Sequence, residues 1–442
     1  MGLGLHGGGA TAARFLAERG CEVTVTDLRD ETTLAPSIAD LEDLPIRFVL
    51  GRHECEDFDR ADLIVKNPAV RRDSPFLKRA KAVETDISLF LKLTGPRVIA
   101  VTGSKGKSMT ASAIHHALVT SGARARLGGN ITTSPLGFFE EIDDSTTVVL
   151  ELSSWQLADL SGMGILDPEV SVSLNILRDH QNRYADMAEY AADKRAICEE
   201  QSSYQVALLN YDDETIRAFA EYTGAKPRFF SASKLPGPFV GGWLDGDLAF
   251  DNLDGETQLL FEGEFRVPGN HNRFNMLAAA VALSAFGVER RAIAEALRDF
   301  GGIRHRLETV GIKAGVTYIN DTAATIPDAT VAASTSYSGP VHLIAGGADK
   351  SLDFSVLRQL SVASLHLIHG SGTSKMVDVL NAVGIEYSGP FRSFEDAFES
   401  ARNRAEAGSS VVLSPGCTSF EMFHNEFERG DAFVAMVKKI PD

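Results

Sequence analysis

The strongest chemical signal in the sequence is a glycine-rich segment, Gly103-Ser104-Lys105-Gly106-Lys107-Ser108. The apolar run Val98–Thr102 before it predicts a strand, and Met109–Thr120 after it predicts a helix. At such a junction the backbone N–H groups and the positive end of the helix attract phosphate. Lys107 can then reach the outer phosphates, and the Ser108 hydroxyl can ligate Mg²⁺. The segment therefore predicts a nucleoside triphosphate site, with an ordinary glycine turn as the alternative.

Acidic, basic and imidazole side chains follow the strands that are predicted next to this loop. Glu151 ends the apolar strand Thr147–Glu151, where a parallel neighbour of the phosphate loop would bring a carboxylate to the metal. His180 follows the strand Val170–Asn175, and Lys194 lies in a helical pattern. Taken alone, His180 is more typical of a structural or surface histidine and Lys194 of a solvated lysine. Glu151 alone would be more typical of a surface acid at a strand end, but beside the phosphate loop it is predicted to join Ser108 as a metal ligand.

Further polar segments stand at the ends of predicted elements in the second half of the chain. Gly269–Asn275 opens a helix, and its amides could hydrogen-bond a purine or cap the helix. Arg304–Arg306, Gly346–Lys350 and Ser414–Phe420 lie at the start or the strand ends of the last module, where ligands of open α/β sheets gather. Each could equally be turn chemistry, so none predicts a site by itself.

The elements that would position these residues form three α/β modules. The first has a glycine-rich start, the helix pattern Ala10–Arg19 and the strand Cys21–Thr26. The second begins near Gly95 and alternates strands with helices, which is typical of a parallel sheet. From about residue 205 to 267 its short strands and turns predict an antiparallel annex, which the helix Asn272–Phe286 closes. The predicted strands of the third module are Val316–Asp321, Val341–Gly346, Leu365–Gly370 and Val411–Ser414.

Composition and charge exclude several classes of protein. The 442 residues carry a net charge of −17, which argues against general nucleic-acid binding because phosphate neutralisation needs a basic face. No apolar run approaches the roughly 20 residues that span a bilayer, and the first residues do not resemble a signal peptide. The four cysteines lie far apart without a CxxC spacing, so neither a zinc site nor a disulfide framework is indicated. We therefore expect a cytoplasmic protein that binds no nucleic acid and no membrane.

Taken together and in order, these segments resemble those of the Mur ligases along almost the whole chain. The matching segments are Gly103–Ser108, Gly128–Ile131, Glu151–Leu157, Asp179-His180, Gly269–Asn275, His305–Glu308 and Asp349-Lys350. Two more, Gly4–Gly7 and the run from Ser414 to Gly430, look like those of the family member that adds glutamate to UDP-N-acetylmuramoyl-L-alanine. The ordered set is specific, although each piece alone is not.

The resemblance implies an α/β protein of three domains. Residues 1–94 would form a Rossmann-like domain that binds the UDP-sugar, and residues 95–302 a central P-loop ATPase domain with the small antiparallel annex. Residues 303–442 would form a Rossmann-like domain that binds the incoming amino acid. The implied activity is that of a monomeric, ATP-dependent ligase with three small-molecule substrates: ATP, UDP-N-acetylmuramoyl-L-alanine and glutamate, expected to be the D isomer. The substrate carboxylate would attack the γ-phosphate, and the glutamate amine would then attack the resulting acyl phosphate.

The same resemblance carries residue roles over to this chain. The implied ATP contacts are Gly103, Ser104, Lys105, Gly106, Lys107, Ser108, Asn272, Arg306 and Asp321, and the implied catalytic residues are Lys107, His180, Lys194 and Arg306. The implied ligands of two Mg²⁺ ions are Ser108, Glu151, His180 and Lys194, the last as a carbamylated lysine. The implied UDP-sugar contacts are Leu5, His6, Asp27, Arg29 and Asn130. The implied amino-acid contacts are Thr325, Lys350, Ser419 and Phe427.

Some positions depart from the family pattern. Lys105 stands where Asn is common, Asn182 where Asp is usual, and Ala323 where Lys is frequent. The strand that the family places before Gly2 is missing from the sequence. The alanine at position 323 affects one expected amino-acid or phosphate contact, and the missing strand affects the expected binding of uridine.

Three other functions remain open from the sequence. A sister ligase with another amino-acid specificity would differ in the pocket around Lys350 and Ser419. A nicotinamide dehydrogenase is suggested by Gly2, Gly4 and Gly7 with Asp27, but it leaves the phosphate loop unexplained. A nucleotide-regulated binding protein would need no turnover, and phosphate release with substrate distinguishes it.

Overall fold

The computed structural model describes residues 1–5, 7–131, 133–177, 184, 186–267, 269–337, 339–349 and 352–441. The chain packs as two compact units, which comprise Met1–Gly263 with Phe274–Leu297 and Glu264–Arg273 with Arg298–Asp442. The domain boundaries expected after residues 94 and 302 remain predictions. Among the described helices, none is long and apolar enough to cross a membrane.

The first unit begins with short parallel strands and the helices that connect them. Its elements are α1 Gly8–Glu18, β1 Val23–Asp27, α2 Glu31–Ala39, β2 Ile46–Leu50, α3 Cys55–Arg60, β3 Ile64–Val65, a 3₁₀ helix Leu77–Arg79, β4 Val83–Glu84 and α4 Asp86–Leu93. The pairs β1–β2 and β3–β4 are both parallel. Between them lies the start of the chain: the Gly2 N–H donates to the Thr26 carbonyl at 2.8 Å, and the Asn67 N–H donates to the Met1 carbonyl at 2.9 Å. The backbone of Met1 and Gly2 therefore forms hydrogen bonds to chain segments on both sides, as the central strand of a sheet does.

The remainder of the first unit is built around one large sheet. Its elements are β5 Arg97–Thr102, α5 Lys107–Thr120, β6 Ala125–Gly129, a 3₁₀ helix Pro135–Glu141, β7 Thr147–Glu151, α6 Ser154–Leu160, β8 Val170–Ser173, α7 Met187–Glu199, β9 Val206–Asn210, α8 Glu214–Arg217, a 3₁₀ helix Ala218–Glu221, β10 Lys226–Ser231, β11 Gly241–Asp245, β12 Leu248–Asp251, β13 Gln258–Glu262, α9 Asn270–Phe286 and α10 Arg290–Asp299. Nine described strands pair in the order β13-β12-β11-β10-β9-β8-β5-β7-β6.

The antiparallel annex proves to be the edge of this sheet. β12 pairs antiparallel with both β11 and β13, as the turns in the sequence predict. However, β9 and β10 pair in parallel with their neighbours and continue the central sheet. The annex therefore begins at β11 rather than near residue 205.

Burial explains why the central strands are uninterrupted apolar runs. Strands of a parallel sheet with helices on both faces are buried on both sides. Every residue of β7 is buried, and only Arg97 of β5 is exposed. Residues 276–283 of α9 are fully buried all round the helix, as expected for a helix inside a core. Phe15 and Phe90 share this core with Leu136 and Phe138, so the first elements of the chain pack directly against the large sheet.

The second unit is a separate α/β sheet. Its further elements are β14 Glu308–Lys313, β15 Val316–Asn320, α11 Pro327–Ser334, β16 Val341–Gly346, a 3₁₀ helix Ser355–Gln359, β17 Ser364–Ile368, α12 Ser371–Val383, β18 Ser388–Phe391, α13 Phe394–Arg402, β19 Ser410–Leu413 and α14 Glu426–Lys438. The strand order is β14-β15-β19-β16-β17-β18, and only β14 is antiparallel to its neighbour. The carboxyl ends of β15, β19 and β16 are therefore adjacent. The predicted α/β class and the alternation of strands with helices are confirmed.

Candidate active site

The glycine-rich segment lies where the sequence predicts it, between β5 and α5. β5 has β7 on one side and β8 on the other, so its carboxyl end lies inside the sheet, between two parallel neighbours, rather than at an edge. Gly106 precedes the helix with φ of 86°, and a Cβ there would lie 2.5 Å from Asn275 Oδ1. The positive φ favours glycine, and any side chain there would have to displace the amide of Asn275. The first N–H groups of α5, with no side-chain cap, are therefore directed to the loop, which is the arrangement that binds phosphate.

Inside the loop, lysine and backbone groups are held by local hydrogen bonds. Lys107 Nζ donates to the carbonyl oxygens of Gly103 at 2.9 Å and Ser104 at 3.2 Å. The N–H groups of Ser104 and Lys105 donate to Asn175, at 2.9 Å to its carbonyl and 2.8 Å to Oδ1. Lys107 thus lies over the loop, while Asn175 fixes the loop to the end of β8. That Ser104 and Lys105 contact ATP remains a prediction.

Glu151 ends β7 beside this loop, and it is only 1% exposed. In the β5–β7 pairing it stands opposite Val101. Its Oε1 accepts a hydrogen bond from Asn130 Nδ2 at 3.1 Å, whereas Oε2 is buried with no hydrogen-bond partner among the described residues. A buried carboxylate oxygen without a partner is costly unless a ligand satisfies it. Oxygen is also the ligand that Mg²⁺ prefers, so the donor set fits a magnesium ion.

Asn130 owes its position to the glycine before it. Gly129 has φ of 104°, and a Cβ there would lie 2.2 Å from the Glu151 carbonyl oxygen. This close approach lets the Asn130 N–H donate to the same carbonyl at 2.8 Å. The structure therefore brings Asn130, expected to contact the UDP-sugar, together with Glu151, expected to hold the metal.

Lys194 is not the solvated lysine that its helical surroundings suggest. It lies in α7, is 1% exposed, and its Nζ donates to the Gly103 carbonyl at 3.0 Å and to Thr102 Oγ1 at 3.5 Å. The structure thus places this lysine at the first glycine of the phosphate loop. Only the family resemblance indicated such a role, and His180, its expected partner, lies outside the described residues.

Tyr190 was missed by the sequence analysis. Its hydroxyl is 2.9 Å from Ser104 Oγ, and the Lys194 ammonium lies 4.9 Å from the centre of its ring. Tyr190 therefore joins the loop to the buried lysine. The available signal was its spacing of four residues from Lys194, which puts both on one helix face.

In the first module, Asp27 organises the backbone near the expected UDP-sugar contacts. Its Oδ2 accepts from the Gly4 N–H at 3.1 Å and its Oδ1 from the Arg29 N–H at 2.9 Å. Leu5 and Arg29 are exposed beside it. Three of the expected contacts thus lie together, and His6 is outside the described residues.

In the second unit, Arg306 and Asp321 are brought together by a strained turn. The two residues that flank Arg306, His305 and Leu307, have positive φ of 66° and 45°, which non-glycine residues rarely adopt. The Leu307 N–H donates to Asp321 Oδ1 at 3.1 Å, and Ser414 Oγ donates to Oδ2 at 2.7 Å. Burial raises the pKa of Asp321 to about 7, although these hydrogen bonds and Arg306 oppose the shift. The exposed Arg306 is thereby fixed beside a buried carboxyl group.

The expected amino-acid contacts lie on loops that follow adjacent strands. Thr325 follows β15 and Ser419 follows β19, and the Gly416 N–H joins the two loops by donating to the Ala324 carbonyl at 2.8 Å. Ser419 Oγ is buried with no hydrogen-bond partner among the described residues. Phe427 is 45% exposed at the start of α14. Lys350 lies outside the described residues, and Asn272 is buried in the first turn of α9.

Comparisons with known proteins point to one family along the whole chain. The Mur ligase middle domain matches residues 101–283, and the Mur ligase MurD-like N-terminal domain matches residues 1–88. A UDP-N-acetylmuramoylalanine–D-glutamate ligase from Treponema pallidum is 37% identical over 100% of this chain and 97% of its own length. The protein of the same name from Roseiflexus is 39% identical over 99% of this chain and 97% of its own length.

Solved structures show the same fold at lower identity. The UDP-N-acetylmuramate-alanine ligase of Thermotoga maritima covers 98% of this chain and 96% of its own, with a TM-score of 0.60 and 19% identity. The UDP-N-acetylmuramoylalanyl-D-glutamyl-2,6-diaminopimelate–D-alanyl-D-alanyl ligase of Acinetobacter baumannii covers 95% and 91%, with a TM-score of 0.58 and 16% identity. The three-domain α/β fold expected from the sequence is therefore confirmed.

Proposed function

This chain belongs to the Mur ligase family, and from that premise we propose that it joins D-glutamate to UDP-N-acetylmuramoyl-L-alanine at the expense of ATP. Relatives that bear this activity in their names are 37–40% identical over 99% or more of the chain. The observation that carries the proposal is the placement of Lys107, Glu151 and Lys194 around one phosphate loop. Phosphoryl transfer needs mainly positioning and charge neutralisation, which these residue types supply.

The reaction proceeds in two steps. The carboxylate of the L-alanyl group attacks the γ-phosphorus of ATP, ADP leaves, and an acyl phosphate forms. The D-glutamate amine then attacks the acyl carbon, inorganic phosphate leaves, and the amide bond remains. Lys107 exchanges its two loop carbonyls for phosphate oxygens and balances their charge. Bound Mg²⁺ neutralises phosphate charge, and Ser108, Glu151, His180 and Lys194 would hold two such ions.

The family resemblance assigns the remaining contacts to residues of both units. Arg306 and Asp321 would reach ATP, and Thr325, Lys350, Ser419 and Phe427 would hold D-glutamate. Asn272 would contact adenine, while Leu5, His6, Asp27, Arg29 and Asn130 would hold the UDP-sugar. Support comes from the buried Ser419 hydroxyl, which has no hydrogen-bond partner among the described residues, and from the turn that fixes Arg306. Because two of the three substrates, ATP and the UDP-sugar, are cytoplasmic nucleotides, we propose that the protein acts in the cytoplasm, and we expect a monomer.

Carbamylation of Lys194 would suit its surroundings. The side chain is buried beside the Gly103 carbonyl, and an ammonium loses solvation there. Addition of CO₂ to the neutral amine forms an N–C bond and releases a proton, which gives an anionic oxygen ligand for Mg²⁺. We expect ¹³C-labelled bicarbonate to give a carbamate carbon signal in the wild-type protein that is absent from Lys194→Ala. Equal spectra of the two proteins would contradict the modification without bearing on turnover.

Phosphate release tests the proposed function. The purified protein is given ATP, Mg²⁺ and UDP-N-acetylmuramoyl-L-alanine with D-glutamate, L-glutamate, L-alanine or meso-diaminopimelate in turn. We expect release only with D-glutamate, together with the glutamyl product by mass spectrometry. Release with another amino acid alone would identify a sister ligase, and release with none would contradict the assignment.

A further inference from the structure

One arginine of the second unit is buried, and no carboxylate among the described residues is hydrogen-bonded to it. Arg429, in the first turn of α14, is 0% exposed. Its Nε donates to Thr322 Oγ1 at 3.0 Å, and its Nη2 donates to the carbonyl oxygens of Thr322 at 3.1 Å and Cys417 at 3.2 Å. All three acceptors are neutral. A buried cation is normally paired with an anion, so this arrangement requires explanation.

No described carboxylate is hydrogen-bonded to Arg429, although the charge of Glu426 raises its pKa against the larger effect of burial. Burial raises the pKa of the Cys417 thiol to about 12, so that thiol is uncharged at neutral pH. Burial also lowers the pKa of Arg429, but only to about 10, so the guanidinium keeps its charge. Among the described residues no carboxylate hydrogen-bonds it, and Nη1 is buried with no hydrogen-bond partner there. One edge of the guanidinium therefore carries an N–H donor that has no acceptor among the described residues, and no described carboxylate is hydrogen-bonded to it.

The position of Arg429 indicates what could satisfy it. Thr322 lies on the loop after β15, and Cys417 on the loop after β19. The third loop, after β16, is also adjacent, because a Cβ on Gly347 would lie 3.5 Å from Nη1. These are the three adjacent strand ends of the sheet, where ligands of open α/β sheets bind. Two of these loops carry the expected amino-acid contacts Thr325 and Ser419, while Lys350 lies outside the described residues.

These loops are joined to each other as well as to the arginine. Ala348 and Thr418 form an antiparallel bridge, with N–H to carbonyl distances of 2.9 and 3.1 Å. Gly430, next to Arg429, has no space for a side chain, because a Cβ would lie 2.3 Å from His305 Nδ1. Helix α14 therefore packs closely enough for the guanidinium to hydrogen-bond the loops after β15 and β19 and to approach the loop after β16.

We propose that Arg429 is a positioning residue for the incoming amino acid. Its guanidinium holds together the three loops that recognise a carboxylate of that amino acid, and its positive charge balances the charge of the carboxylate. The inference rests on the proposed function, since it assumes that the loops receive a dicarboxylic amino acid. The planar guanidinium of Arg429 can donate to carbonyl groups on two loops at once, which a lysine ammonium does not reproduce.

Steady-state kinetics test this role in the full-length protein. Arg429→Lys keeps the charge but loses the fork, and Arg429→Gln loses the charge. We expect the KM for D-glutamate to rise about 10- to 100-fold, the range for a hydrogen bond to a charged group, and more for Gln than for Lys. The KM for ATP should stay close to the wild-type value. The control Arg290→Lys changes an arginine of the first unit that has its own partners, Asp251 and Asp254, and should leave both constants unchanged.

Amide hydrogen exchange of the ligand-free protein provides a readout that needs no turnover. We expect faster exchange in residues 321–325, 346–349 and 414–419 of Arg429→Lys, and wild-type exchange there in Arg290→Lys. Unchanged exchange in these loops, or equal rises of both KM values, would overturn the positioning role. If the wild-type protein uses no glutamate while the loops still loosen in the variant, the proposed function fails and the structural role of Arg429 stands.

Discussion

The buried carboxylate of Glu151 gives a prediction in which stability and activity change in opposite directions. Glu151→Gln keeps the shape of the side chain and an oxygen that can accept the Asn130 hydrogen bond. It removes the charge from a group that is 1% exposed and has one oxygen without a hydrogen-bond partner among the described residues. An unsatisfied buried polar group costs about 1–3 kcal/mol, and more if it is charged, whereas the weakened Asn130 bond loses only about 1 kcal/mol.

The ligand-free variant should therefore unfold with a free energy equal to that of the wild type or higher by up to about 2 kcal/mol. Turnover should fall at least about 100-fold, the scale for removing one preorganised group that stabilises charge in the transition state. Thermal unfolding without ligands measures the first quantity, and phosphate release over a Mg²⁺ titration measures the second. The half-saturating Mg²⁺ concentration should rise.

Glu169→Gln is the matched control. Glu169 pairs with Arg97 at 2.7 Å, with both side chains well exposed, so its removal should change stability by no more than about 1 kcal/mol and leave turnover intact. The reasoning is refuted if ligand-free Glu151→Gln is clearly less stable than the wild type. Near-normal turnover at ordinary Mg²⁺ would refute the metal assignment.

Three further perturbations test other parts of the structure. Lys107→Ala should lower phosphate release at least about 100-fold in a folded protein, because its ammonium lies over the phosphate loop, and near-wild-type release would contradict the loop assignment. Gly129→Ala should impair turnover and lower the melting temperature, since its Cβ would lie 2.2 Å from the Glu151 carbonyl oxygen; Gly122→Ala, which also has positive φ but open space, controls for backbone strain. Burial and Arg404 lower the pKa of His366 from 6.5 to about 4, so unfolding takes up a proton between these values. The second unit should therefore lose up to about 3 kcal/mol of stability as the pH falls from 6.5 to 4, with full stability above 6.5, and His366→Gln should flatten that dependence in pH-dependent urea unfolding.

The sequence predicted the phosphate loop because every part of it is local. A buried strand, glycines that fix a turn and a helix start are properties of neighbouring residues, so β5, the loop and α5 appear where expected. Glu151 was predictable for a related reason. An apolar run that ends in an acid places that acid at the end of a buried strand, and β7 has the predicted bounds.

Buried charges were the features that residue patterns could not predict. Lys194 and Arg429 lie in helices whose neighbouring residues are polar, which is typical of a solvated face. Their burial comes from the loops after β5, β15 and β19, which are distant along the chain. For Lys194 only the family resemblance indicated a role, and Arg429 lay within a segment that resembles the family without being assigned a role. The parallel pairing of β9 and β10 was missed likewise, because short strands with turns between them do not specify the direction of their partners.

The strained turn around Arg306 also has a consequence for protein engineering. A non-glycine residue in the left-handed region costs roughly 1–3 kcal/mol, so a screen for thermostable variants would select Gly or Asn at Leu307. Such a variant would unfold at a higher temperature, but the turn would no longer hold Arg306 in its present position. Ala314 has φ of 48° in the hairpin between β14 and β15, where no predicted site residue lies. A stabilised catalyst should therefore be sought by replacing Ala314 with Asn or Gly, and residues 305–307 should be kept out of the library.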